Sequence, residues 1–76
     1  MIAAFDKRRL NTIKLMARAD VGRKFLGDVL ETHRKAASAV EEVIKLGADT
    51  PKNLQERDAI AGNIRAIEAA LGTVQA

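Results

Sequence analysis

The feature that most limits what this chain can become is an apolar stripe through Leu26, Val29, His33, Ala36, Val40 and Val43. Its spacing alternates three and four residues, the repeat that lines one face of an α-helix. Leu30, Ala37 and Ile44 widen the stripe on one side, and Phe25 stands beside its start. The pattern predicts a helix of about five or six turns with one face made for burial. The run Gly47-Ala48-Asp49-Thr50-Pro51 then closes one helix and opens another. Glycine suits the left-handed position just past a helix end. Threonine caps a helix start, and proline fits the first helical position, where its missing amide costs nothing.

A further helix is expected near 51–72. Ile60, Ile64, Ile67, Leu71 and Val74 recur there at four, three, four and three residues. A second side of that helix is small, with Ala59, Gly62, Ala66, Ala69 and Ala70. Two sides fit for burial imply three-helix packing or an oligomer interface. The few residues after Leu71 are expected to fray.

Before the stripe, residues 2–18 read as a shorter helix. Ile2, Phe5, Leu10, Ile13, Met16 and Ala17 share one broad side, interrupted by Asp6 and Arg9 at a pairing distance of three. Lys7, Asn11, Lys14 and Arg18 follow each other on the opposite face, and Leu15 points elsewhere. Asp20 is the expected cap of the long helix. Gly22 and Gly27 each weaken its start by up to about 1 kcal/mol relative to alanine, so a break is expected near 19–22.

The expected fold is all-α: a single domain over 1–76, built as a long antiparallel helical hairpin over 20–72 with the N-terminal helix against it. The expected core or interface is Phe25, Leu26, Val29, Leu30, Val40, Val43, Ile44, Ile60, Ile64, Ile67 and Leu71. Val40 and Val43 are expected to be buried near Ile60 and Ile64.

A chain of 76 residues has a thin core, because a domain this small buries only roughly 60% of its unfolded surface. It has no cysteine, so no disulfide supports it, and its single histidine makes a zinc site within one chain unfavourable. Small domains without such supports gain stability by associating. No tryptophan or tyrosine is present, which argues against a base-stacking platform for single-stranded nucleic acid.

Charge is unevenly placed. Residues 1–36 carry nine Lys/Arg and four Asp/Glu, against four and six in residues 37–76. Such asymmetry fits an acidic partner, or complementarity between copies. No apolar run approaches the roughly 20 residues of a membrane span. The start, Met-Ile-Ala-Ala-Phe-Asp-Lys-Arg-Arg, lacks the apolar centre of a signal peptide, so synthesis in the cytoplasm is expected.

No catalytic, cofactor-binding or metal-binding signature emerges, and no enzyme activity or cofactor is expected. Glu41 and Glu42 are adjacent on a helix and diverge, so they do not share a substrate atom. Gly22-Arg23-Lys24 lacks the rest of a phosphate loop. His33 reads as a core histidine with one satisfied nitrogen rather than a protonation switch. Asn63 is either a buried polar residue that sets helix register or a surface residue. Lys7, Lys14 and Arg18 form a candidate face for an acidic partner. Phosphate contact would need such clustered cations, but no base-reading motif accompanies them.

The stretch Gly22-Arg23-Lys24-Phe25-Leu26-Gly27-Asp28-Val29-Leu30, the long helix after it, then Leu54-Gln55 and Gly62-Asn63-Ile64-Arg65-Ala66-Ile67 with Leu71, resembles small helical-hairpin proteins of tailed phages. That resemblance implies a virion part, an assembly factor or an inhibitor of a host system, without enzyme activity. The function expected is a protein–protein assembly module, homo-oligomeric or within a larger assembly such as a virion. The alternatives are a nucleic-acid-binding accessory protein using the basic N-terminal helix, and a small inhibitor or regulator of a host protein.

Overall fold

A computed structural model describes residues 2–75, and side chains through residue 72. Three helices follow one another: α1 over Lys7–Met16, α2 over Asp20–Lys45 and α3 over Pro51–Gln75. The described residues contain no strand.

Residues 2–6 are not helical, contrary to the helix expected from residue 2. The reason is a side chain nearly sixty residues away. The Asn63 amide oxygen accepts from the Phe5 backbone N–H (2.9 Å) and its amide nitrogen donates to the Ala3 carbonyl (3.0 Å). These two backbone groups are thereby held in an extended segment. Asp6 then caps α1 by accepting from the Arg9 N–H at 2.8 Å, instead of pairing with the Arg9 side chain.

The break between α1 and α2 falls at Ala17–Ala19, earlier than the 19–22 expected. Arg18 and Ala19 donate to the carbonyls of Leu15 and Met16, tightening the last turn of α1. Asp20 is not the cap. Ala19 occupies that position with extended backbone and no side-chain bond, while Asp20 opens α2 and pairs with Arg23. A carboxylate in the first turn is still favoured by the helix dipole.

Gly22 lies inside α2 and has a steric role. A Cβ there would stand 1.9 Å from the Met16 carbonyl oxygen, so the end of α1 rests on the bare backbone of α2. A Cβ at Gly27 would have nothing within 4 Å of it. The two therefore predict opposite signs. Gly22→Ala should lower stability by about 1–3 kcal/mol through overpacking. Gly27→Ala should raise it by up to about 1 kcal/mol through helix propensity. Urea unfolding followed by circular dichroism reads both.

The turn between α2 and α3 follows the expectation closely. Gly47 has φ +105°. Its N–H donates to Ile44 and that of Ala48 to Val43, the paired bonds of a Schellman close. Thr50 caps α3 by accepting from the Asn53 N–H at 3.2 Å, and the Asn53 side chain donates to the Ala48 carbonyl at 2.8 Å.

One cluster joins all three helices: Ile13 and Ala17 from the α1 end, Leu26 and Leu30 from α2, Ile67 and Ala70 from α3. Phe5, Met16, Val29, Ile64 and Leu71 pack around it. Farther along, His33 bonds Asn63, Arg34 pairs with Glu68 at 2.8 Å, and Val43 shares a groove with Asn53 and Glu56. Val43 is therefore not beside Ile60 and Ile64, and it is exposed. The connection over 46–50 is short, which places Val43 with Asn53, close to the turn, rather than farther along α3. Val40 is half-buried in the same groove. Helix α3 runs to Gln75; the Val74 side chain lies outside the described residues.

Candidate interaction surface

The buried polar centre limits what chemistry the interior can do. His33 and Asn63 are both buried. His33 Nδ1 lies 3.0 Å from the Val29 carbonyl, which can only accept, so Nδ1 carries the proton. Nε2 then accepts from the Asn63 amide nitrogen at 3.2 Å. The Phe5 ring stands over the imidazole, with centroids 5.5 Å apart and planes at 60°. The Asn63 amide uses its oxygen and both hydrogens. Among the described residues, no buried side-chain polar atom lacks a partner. This centre is a closed structural network that ties the N-terminal segment to α2 and α3. Asn63 is thus the buried member of the two readings the sequence allowed, and both ring nitrogens of His33 are engaged.

Among the described residues no group of three or more His, Asp or Glu is placed to hold a metal ion, and no helix is long and apolar enough to cross a membrane.

The surface is more informative. Five large apolar side chains are exposed: Leu15 by 64%, Val21 by 84%, Phe25 by 54%, Val43 by 44% and Leu46 by 81%. The large apolar side chains that are buried, Ile13, Leu26, Leu30, Ile60 and Ile67, are no more numerous. Four of the exposed five lie on α2 or at its C-terminal cap. Of the residues expected in the core or an interface, Leu26, Leu30, Ile60 and Ile67 are buried, and Val29, Val40, Ile44, Ile64 and Leu71 are half-buried. Phe25 and Val43 are exposed. Each borders a shallow groove. Phe25 lines one of about 180 Å³ with Phe5, Met16 and Val29, and Val43 lines one of about 160 Å³ with Val40 and Asn53.

The basic residues are arranged differently from the expected continuous face. Lys7, Lys14 and Arg18 are exposed, but α1 ends at Met16, so Arg18 leaves the helical line. Lys14 and Arg18 border a groove of about 350 Å³ floored by Leu10, Ile13, Ala66 and Ala70. Lys7 is not part of it. The small side of α3 thus faces α1 across this groove.

The outer side of α2, with Val21 and Leu46, was missed by pattern reading. Its signal was present as the spacing Val21, Phe25, Asp28 and Thr32, but a charge in the middle disguised it. Comparison with protein families, curated proteins and solved structures gives no significant match to this chain.

Proposed function

We propose that this chain is a non-enzymatic protein–protein assembly module, built on an antiparallel hairpin of α2 and α3. The hairpin is supported by the pairs His33–Asn63 and Val43–Asn53, which run in opposite order along the two helices. The observation that carries the assembly reading is the outward-facing set Val21, Phe25, Val43 and Leu46 on one helix of a small domain. Exposed apolar side chains aligned on one helix face, here as a pair at each end of α2, fit an interaction surface, whereas singly scattered ones are ordinary. The resemblance to phage helical-hairpin proteins makes a virion-associated or assembly subunit the most specific form of this reading.

A second reading, a nucleic-acid accessory protein, has one observation in its favour. Among the described residues, Lys7, Arg8, Lys14 and Arg18 take part in no ion pair. A titration with duplex and single strands across a salt series separates the two. If cations hold phosphate, log affinity falls linearly with log salt. Replacing Lys7, Lys14 and Arg18 together by Gln would then flatten the slope by about two to three units. The assembly reading predicts negligible binding at physiological salt by both proteins, with folding intact because these side chains are exposed. Submicromolar, salt-sensitive binding by the parent would overturn it.

A further inference from the structure

On a helical projection of 100° per residue, Val21, Phe25, Val43 and Leu46 fall within an arc of about 60°. Asp28, Thr32 and Ala39 fall in the same arc, and all seven are exposed. The stripe runs the length of α2, about 39 Å for its 26 residues. Its apolar members gather at the two ends. Its spacing also reads nearly the same in both directions: Val21 and Leu46, Phe25 and Val43, and Asp28 and Ala39 lie equally far from a point level with His33 and Arg34, to within one residue.

We propose that this stripe is the seam of a two-fold homodimer, in which α2 of one copy lies antiparallel on α2 of a second copy. The proposal rests on the assembly reading above and names its partner and geometry.

A two-fold contact requires a surface that complements itself. Here Val21 meets Leu46 of the second copy, and Phe25 meets Val43. Each end also offers a groove beside the seam. The one bordered by Phe25, Phe5 and Met16 has room for Val43 of the second copy. The one bordered by Val43, Val40 and Asn53 has room for its Phe25 ring.

Charge argues for a second copy and for this direction. Lys24, Glu31, Lys35 and Glu42 lie along one edge of the stripe and are exposed. Turned about the same two-fold, Lys24 comes level with Glu42 of the second copy, and Glu31 with Lys35. Within one chain Glu31 and Lys35 already pair at 3.4 Å, so the two copies would complete a four-charge ring at the symmetry axis. Among the described residues, Lys24 and Glu42 take part in no ion pair. A parallel arrangement would instead set Asp28 against Asp28, whereas the antiparallel one sets it against the small Ala39. The molecule is 42 Å long, so the stripe spans nearly its whole length.

The chain has no cysteine, which makes the geometry directly testable. The parent should sediment at twice its 8.2 kDa chain mass at tens of micromolar. Leu46→Asp should sediment as a single chain with unchanged circular dichroism. Lys24→Glu should weaken the dimer about tenfold, since two exposed pairs turn from attraction to repulsion. The double change Lys24→Glu with Glu42→Lys should return the affinity to within about threefold of the parent. An oxidised mixture of Asp28→Cys and Ala39→Cys chains should crosslink to each other, and Ala39→Cys alone should not crosslink to itself. A dimer that ignores Leu46→Asp, a double change that fails to rescue, or self-crosslinking of Ala39→Cys overturns this seam and leaves the assembly reading standing. A parent that sediments as a single chain also overturns the seam. If that single chain forms no complex with another protein in its source, the assembly reading falls as well.

Discussion

Asn63→Ala should lower the stability of this domain by about 2–3 kcal/mol and release the N-terminal segment. The truncation removes three bonds together: the acceptor of the Phe5 N–H, the donor to the Ala3 carbonyl and the donor to His33 Nε2. Water can reach the two backbone groups once the segment lifts away. It does not easily reach the buried imidazole nitrogen, so that atom carries the desolvation cost. Two measurements check the result. Urea unfolding gives the loss of stability, and amide exchange at Phe5 should become fast in the variant while α2 amides stay protected. Replacing both polar partners, with His33→Leu and Asn63→Leu, should be less damaging than the sum of the single changes, because neither then strands the other.

Leu26→Ala should cost more, about 2–5 kcal/mol, within the range for emptying a buried leucine site. Leu26 is almost fully buried and belongs to the one cluster that holds Ile13 and Ala17, Leu30, and Ile67 and Ala70 together. A cavity there loosens all three helices at once. Single-core domains of this size commonly have only about 3–5 kcal/mol in reserve. The variant should therefore be largely unfolded at room temperature by circular dichroism and near-native only with a stabilising osmolyte. Val43→Ala, in the same helix but at an exposed position, should lie within about 0.5 kcal/mol of the parent when monomeric.

What could be read in advance was local chemistry. Gly47, Thr50 and Pro51 announced the turn because a positive φ, a cap and a missing amide each belong to a residue type at a fixed offset. The apolar repeats through Leu26 and Leu30, and through Ile60 and Ile67, announced α2 and α3 for the same reason. What could not be read was nonlocal. Residues 2–6 have an acceptable helical pattern, yet Asn63 takes their backbone groups from the far end of the chain. Gly22 looked like a weak point in a helix, yet it is where the Met16 carbonyl rests. Val43 continued the apolar repeat, but the length of the turn, not the repeat, decides what it meets. The outer stripe of α2 was the hardest to see. Periodicity marks an apolar face without saying which face the rest of the same chain will cover.

The proposed mode of action is association with protein. Native mass spectrometry of the protein taken from its source, followed by identification of every component, tests it most directly. A complex heavier than one 8.2 kDa chain and composed of protein alone is the expected result. A lone chain, or a complex whose added mass is nucleic acid, would contradict it.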